Sequence, residues 1–472
     1  MRLRQTALLL IFVLELFGPA SAQPTNLDVL DDYLQAQVEA QRVPGLALAL
    51  AFADGSVDVR TYGSGITPET RFRVGSLSKA MTAAAALRLV EAELLDLDAP
   101  VRAYLPEFTT QDPDHAGRIT VRHLLNQTSG LSDASLGAFF EIGALDEVVP
   151  ALAAARPLAE PGATFAYFNS NYDLLGRVIE VVAEQPFDAY LREQVLIPAG
   201  MTDALAPEGP PSTIEGLTQG HILVFGFPIA YDDERQIPLP SGGVVASGRD
   251  MAAFLSQFVI EAPTLLSDDS RALMLAPPPD IDSPYGMGWF AETLTDGAPM
   301  FYHTGDLLTF HADMVLLPQE GVAFALLYNR QNLLSTFTTY SEIRTGVTAI
   351  LRGEEAPGPG LTASVLGLIL LVVTLIAIVS DVRRLLASPA WARKAQRPIV
   401  RAVGLLTPLI PLAILLLLPT LMLTLIGQAV DYGLLFAYLP DIMLLLMITA
   451  ALGVVTVVVR AWMLLRAAAG SR

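Results

Sequence analysis

The chain has 472 residues, is 52% hydrophobic, carries a formal net charge of −19 at pH 7 and contains no cysteine. It is too apolar for a wholly soluble protein, too acidic for a nucleic-acid binder, and without the thiols for a disulfide framework or thiolate chemistry. Any exported domain must therefore rest on its own core.

The N-terminal stretch "MRLRQTALLLIFVLELFGPASAQP" sets Arg2 and Arg4 before an apolar run that ends in Ala20-Ser21-Ala22. This is the pattern of a secretory signal peptide over residues 1–22, with an uncleaved anchor helix as the alternative because Glu15 interrupts a short apolar run. Next, Leu27, Leu30, Leu34 and Val38 recur at helical spacing. "GLALALAFADGSVDVRTYG" reads as two strands about Ala53-Asp54-Gly55. "AMTAAAALRLVEAELL" is an Ala-rich helix, and "ITVRHLLNQTSGL" is a short helix stopped at Gly130. A further helix is expected over about Asp173–Glu184, and another N-capped by Ser247. "YGMGWF", "MFYHTG" and "HADMVLLPQEGVAFALLYN" read as antiparallel strands before a helix around Phe337–Leu351. Helices and strands mix without regular alternation, and both ends of the domain supply strands to one sheet, so the class is α+β.

"GEEAPGPG" at 353–360 is a linker. Beyond it, "LTASVLGLILLVVTLIAIVS", residues 402–429 and residues 442–459 are three apolar runs long enough to cross a bilayer, with Pro408, Pro411 and Pro419 kinking the second. Basic residues cluster between the first two runs and after the third, which places the tail at 467–472 in the cytoplasm and the domain at 23–352 outside. The runs hold no ionisable residue near their centres, so the region 361–466 reads as an anchor in the lipid bilayer. Residues 23–360 carry 18 basic and 44 acidic side chains, a net of −26. That charge repels nucleic acid and anionic membrane surfaces.

Three places could carry chemistry. "RVGSLSKA" sets Lys79, the only lysine of the exported domain, three residues after Ser76. One helical turn brings that amine to the Ser76 hydroxyl, whereas the neighbouring Ser78 points elsewhere. Taken alone the pattern is weak, since a solvated helical lysine looks the same. "PGATFAYFNSNYDLLG" places Tyr167 and Asn169 two apart, a phenol that can pass protons and a carboxamide that can hold an amide; a buried aromatic and a helix cap fit equally. "MFYHTG" supplies His303, Thr304 and Gly305 at a strand end.

In this order and at these separations, with the "ITVRHLLNQTSGL", "SGGVVASGRDMAAF" and "YGMGW" blocks, the sequence over 27–350 resembles the serine β-lactamase and penicillin-binding-protein superfamily, closest to its class C-type branch. The resemblance implies a β-lactamase/D,D-peptidase fold, an antiparallel sheet flanked by helices with a helical subdomain. It implies an acyl-enzyme on Ser76, Lys79 as proton acceptor and Tyr167 as proton shuttle. Asn169, His303, Thr304 and Gly305 would bind substrate, a small molecule or peptide, and the backbone N–H groups of Ser76 and Asp306 would form the oxyanion hole. No metal or organic cofactor is implied. Histidine at 303 stands where many members have lysine, which disfavours a substrate carboxylate. Asp306 replaces the usual small residue and Gln127 the usual histidine. The implied activity is amide or ester hydrolysis on envelope material; a genuine β-lactamase or D,D-carboxypeptidase, and an idle sensor signalling through the spans, are the rivals.

Overall fold

A computed structural model of the protein describes residues 27–136, 144–207, 209–358, 360–394, 397–426 and 430–469. The expected signal peptide lies outside the described residues, as does the end of the expected tail.

Helix α1 (Leu27–Gln41) buries Leu30, Leu34 and Val38, the stripe its spacing predicts. Strands β1 (Gly45–Phe52) and β2 (Val57–Gly63) form the expected hairpin, with Gly55 at φ +85 in its turn. The short strand β3 (Arg71–Arg73) runs through the turn Gly75–Leu77 into α2 (Ser78–Glu91). There follow α3 (Asn169–Ala183), the hairpin β4 (His221–Val224) and β5 (Phe227–Ala230), β6 (Val245–Ser247) and α4 (Gly248–Ser256). The Ser247 hydroxyl caps α4 by accepting the Asp250 N–H. The domain closes with β7 (Phe290–Thr293), β8 (Pro299–Asp306), β9 (His311–Leu317), β10 (Val322–Tyr328), β11 (Arg330–Gln331) and α5 (Ser341–Leu351).

The main sheet has six strands in the order β2-β1-β10-β9-β8-β7, every neighbouring pair antiparallel. β1 pairs with β10 along its length, Leu46 opposite Tyr328 and Phe52 opposite Val322, so the two ends of the domain do share one sheet. Period-two alternation splits the faces. Leu46, Leu48, Leu50, Val315, Phe324 and Leu326 pack against α1 and α5. Ala47, Ala49, Ala323 and Ala325 face the other way, and these small side chains let α4 lie close on β1 and β10. Helix α2 is surrounded on all sides, which its run of four alanines, Ala83–Ala86, permits without crowding.

Three boundaries differ from the sequence expectation. The helix at Val121–Leu125 ends before Gly130, because Gln127 already takes φ +58. Helix α3 starts at Asn169, four residues early. Of "YGMGWF", only Phe290 is in a strand: Gly288, at φ +81, lies against the backbone of Ala80, where a Cβ would come within 2.6 Å of Ala80 Cα. The block therefore serves as a close-packed loop between α2 and β7.

Three helical stretches, Ala363–Leu386, Pro398–Thr424 and Pro440–Ala467, are long and apolar enough to cross a membrane. The helices that make up most of them are α6 (Ala363–Leu386), α7 (Ile410–Ile426) and α8 (Pro440–Ala469), with α8 packed on the other two. Pro408 sits in a 3-10 turn at the entry to α7 and Pro419 lies inside it.

Candidate active site

The turn before α2 is pressed against the end of β8. Gly75 has φ +55, and a Cβ there would stand 3.1 Å from Gly305 C and 3.2 Å from Asp306 N. A Cβ on Gly305 would meet Val74 O at 2.1 Å. Two glycines thus let the backbone of Ser76 lie beside the strand edge. Ser78 belongs to the scaffold: its hydroxyl donates to Gly75 O at 2.7 Å and accepts the Val244 N–H at 3.1 Å.

Lys79 is wholly buried. Its Nζ lies 3.0 Å from Ser76 Oγ, 2.8 Å from Asn169 Oδ1 and 2.6 Å from Ser241 O. The Ser241 carbonyl and the Asn169 carbonyl can only accept. A neutral amine has two N–H bonds to give them and one lone pair, which is left for the Ser76 hydroxyl proton. Burial pushes the Lys79 ammonium below its usual range, and Asp173 and Asp133 pull back only in part. Burial likewise pushes up the Asp173 carboxyl, a helical turn from Asn169 on the same face of α3, and Asp133 rises to about 6. A dry pocket holding Lys79 and Asp173 favours the neutral pair over two charges.

Tyr167 closes the other side of Ser76. Its ring centre lies 4.9 Å from Lys79 Nζ, and its phenol is near enough to the Ser76 hydroxyl for that group to oppose, in part, the effect of burial on its pKa. Burial raises this phenol above its usual range, so it stays protonated and can donate. The loop bearing it is clamped by Gln127, whose backbone carbonyl accepts the Ala166 N–H at 2.9 Å. Gln127 Oε1 accepts the Phe168 N–H at 3.1 Å and Asn171 Nδ2 at 2.6 Å.

His303 also faces Tyr167, with 6.1 Å between ring centres. Its Nδ1 lies 2.7 Å from the Thr304 carbonyl, which can only accept, so Nδ1 carries the proton and Nε2 takes the Tyr285 hydroxyl at 3.0 Å. Burial first, and Lys79 second, lower its pKa to about 3. The imidazole is neutral and both nitrogens are occupied.

β8 alternates about Gly305. His303 pairs with Met314 and Gly305 with Ala312, on the face of Ser76, while Thr304 pairs with Asp313 and Asp306 with His311, on the face of α5. Thr304 therefore does not share the face of His303. The Asp306 carboxylate, too, is turned away from Ser76: it accepts from His311 Nδ1 at 2.8 Å, from Thr336 Oγ1 at 3.1 Å and from Gln331 Nε2. Its amide does the opposite. Leu307 N donates to Phe310 O at the hairpin, so the antiparallel alternation turns the Asp306 N–H outward, to the edge where Ser76 N lies. A cavity of about 410 Å³ opens nearby between Arg73, Arg177, Arg235 and Leu239, but neither Ser76 nor Lys79 lines it. The hydrogen-bonded groups, not that cavity, mark the chemistry.

The β-lactamase family matches this chain over residues 30–342. The chain belongs to that family. Penicillin-binding protein 4 of Amycolatopsis lactamdurans is 29% identical over 346 residues, 67% of this chain and 89% of that protein. The D-stereospecific amidohydrolase of a Streptomyces species has the same fold, with a TM-score of 0.53 at 23% identity over 64% of this chain and 93% of its own. So has the β-lactamase/D-alanine carboxypeptidase of Yersinia pestis, with a TM-score of 0.57 at 21% identity over 69% of this chain and 98% of its own. The sequence reading missed Asp173, Ser241 and Tyr285, which the structure places beside Lys79 and His303. Asp173 was detectable from its spacing to Asn169; Ser241 contributes a carbonyl, which leaves no mark on side-chain identity.

Proposed function

We propose that the protein is a membrane-anchored serine hydrolase whose catalytic domain faces outward and cleaves amide or ester bonds of cell-envelope material through an acyl-enzyme on Ser76. The carrying observation is the 3.0 Å contact between Ser76 Oγ and a buried Lys79 whose two other contacts are both acceptors. Lys79 takes the Ser76 proton as Oγ bonds to the substrate carbonyl carbon. The carbonyl oxygen becomes an oxyanion facing the N–H groups of Ser76 and Asp306; losing one such donor typically costs roughly 10²–10³ in rate. The C–N or C–O bond then breaks, with Tyr167 passing a proton to the leaving group. A water attacks the Ser76 ester, gives up its proton to the same relay and restores the hydroxyl. Asn169 uses its carbonyl on Lys79 and presents its NH2 to the acyl side. The basic residues around 383–401 and at Arg460 and Arg466 support this orientation.

A neutral, doubly bonded His303 favours substrates without a carboxylate at that subsite, hence an amide or ester in place of a β-lactam or a free D-alanine terminus. The Asp306 carboxylate has no part in this preference, because it points to the other face. Labelling of the full chain with a fluorophosphonate and a fluorescent penicillin, beside Ser76→Ala, tests the mechanism; labelling that survives the substitution defeats it. Turnover of nitrocefin, a D-Ala-D-Ala peptide, a D-amino acid amide and a p-nitrophenyl ester tests the preference. Nitrocefin as the best substrate would show a β-lactamase instead.

A further inference from the structure

The β4–β5 hairpin is tied to two of the apolar helices. Phe225, in its turn at φ +49, donates its N–H to Oδ1 of Asp441, the second residue of α8, at 2.5 Å. Gly226 rests on the first turn of α6: a Cβ on it would stand 2.4 Å from Ser364 O, and one on Gly367 would stand 2.3 Å from Gly226 N. Ser364 Oγ also donates to Gln41 O, at the end of α1, at 2.9 Å.

Helix length gives the level of this contact. At about 1.5 Å per residue, Gly367 to Arg383 on α6 spans about 24 Å, and Asp441 to Arg460 on α8 about 29 Å. The hydrocarbon core of a bilayer is about 30 Å thick. With the arginines at one boundary, the hairpin turn comes to the other.

There the edge strand β5 bares an apolar row. Phe227 is 46% exposed and Ile229 48%; Tyr231, the residue after β5, is 38% exposed and extends the pairing by donating its N–H to Gly220 O at 3.0 Å, so period-two alternation puts all three on one face. Tyr432, just before α8, is 45% exposed. Arg42 donates to Gly226 O at 3.1 Å, and its guanidinium sits 4.5 Å from the centre of the Phe227 ring. Aromatic rings beside a cation, at the end of apolar helices, match the interfacial layer of a bilayer, where rings sit among headgroups and a guanidinium meets phosphate.

We propose that β5 is a bilayer-contacting edge of the hydrolase domain, with Phe227, Ile229 and Tyr231 in the interfacial layer of the membrane that α6 and α8 cross and Arg42 at the level of the lipid phosphates. The net charge of −26 over residues 23–360 keeps the rest of the domain off an anionic surface, so the contact is confined to this apolar edge. The edge also leads to the active site. β4 pairs with β11, Ile222 opposite Gln331, and Gln331 donates to the carboxylate of Asp306, whose amide faces Ser76. Docking on lipid therefore fixes the height of the cleft above the membrane.

The proposal rests on α6 and α8 crossing the membrane, and the two can be tested apart. The chain has no cysteine, so single-cysteine variants carry a nitroxide without background. Phe227→Cys, Ile229→Cys and Tyr231→Cys would be spin-labelled in the full chain, in nanodiscs of phosphatidylcholine and phosphatidylglycerol. Val57→Cys, on β2, is the aqueous reference, and Ile376→Cys, inside α6, reports the span. Circular dichroism matching the parent establishes that each variant is folded. The expected result is a several-fold higher ratio of oxygen to nickel-chelate accessibility at the three hairpin positions than at Val57. Hairpin labels as open to the nickel chelate as Val57 refute the edge while a deep Ile376 label keeps the span. Labels shut off from both reagents refute it in favour of a protein cover, and an aqueous Ile376 label refutes span and edge together.

Discussion

Ser76 Oγ and Lys79 Nζ are 3.0 Å apart, and Lys79 is anchored from the far side by the Ser241 carbonyl at 2.6 Å. The serine is thus held by an amine that cannot swing away. Lys79→Ala and Lys79→Arg are both expected to slow acylation by a fluorophosphonate by roughly 10²–10⁴-fold, the usual worth of a general base. Arginine keeps a positive charge but cannot give up a proton, so it should rescue nothing. Recovery of the rate with arginine would assign Lys79 an electrostatic role only.

The same pair sets a pH profile. Burial lowers Lys79 from its ordinary 10.5, and the base works only when deprotonated. Acylation should rise with pH and level off well below 10.5. His303, already neutral down to about 3, adds no limb in the neutral range. Stopped-flow labelling across pH 5–10 on the full chain checks this, and a plateau reached only near 10.5 contradicts it.

His303→Lys should shift substrate preference. An ammonium at 303 can pair with a carboxylate where the imidazole cannot, a charge-assisted contact of about 1.5–3 kcal/mol. The rate on nitrocefin relative to a neutral p-nitrophenyl ester should therefore rise by about tenfold or more. His303→Gln, which brings no charge, should not raise it. Equal gains for both variants would trace the effect to loss of the Tyr285 contact.

Much of this was legible in the sequence, because the chemistry depends on side-chain identity at short spacing. Ser76 with Lys79 is legible from the helical turn between them, whereas Tyr167 with Asn169 stands out only through the order and separation of the family's blocks. Pattern alone could not settle which way β8 faces. "HTGD" alternates, and only the register with β9 shows that Thr304 and Asp306 share a face opposite His303. Contacts made by backbone atoms leave no side-chain signature: the Ser241 carbonyl holding Lys79 went unread, and the Asp306 amide was expected only through the family resemblance. In the fold, the period-two strands and the Ala-rich helix were plain. "YGMGWF" misled because its glycines serve close packing on α2, not strand formation.

Gln127 supports Tyr167 without touching Ser76. Gln127→Ala leaves the Phe168 N–H and the Asn171 carboxamide without their buried acceptor, a loss of about 1–3 kcal/mol. The Tyr167 loop should loosen, so kcat should fall with little change in KM. Thermal unfolding and steady-state kinetics on the best ester check both parts, and an unchanged kcat would limit Gln127 to stability.

His311 gives the protein an alkaline limit. Its ring lies between Asp306 at 2.8 Å and Asp313 at 3.1 Å, stacks on Tyr340 with 4.0 Å between ring centres, and has Arg344 on the far side of Asp313 at 3.0 Å. Burial opposes the imidazolium, but Asp313 and Asp306 outweigh it and raise the pKa from 6.5 to about 9. The folded state then holds this proton to higher pH than the unfolded one. The stabilisation is complete below 6.5 and declines as pH climbs to about 9. Lys79, with a lowered pKa, acts in the opposite sense over the same range, so the wild-type curve alone is ambiguous. Lys79 is common to wild type and His311→Gln, so the difference between their curves cancels its contribution. The Tm advantage of wild type over the variant should be largest at pH 6, shrink steadily from pH 7, and level off above about pH 9. An advantage that stays constant to pH 9.5 would mean that the ring is held neutral between the two carboxylates.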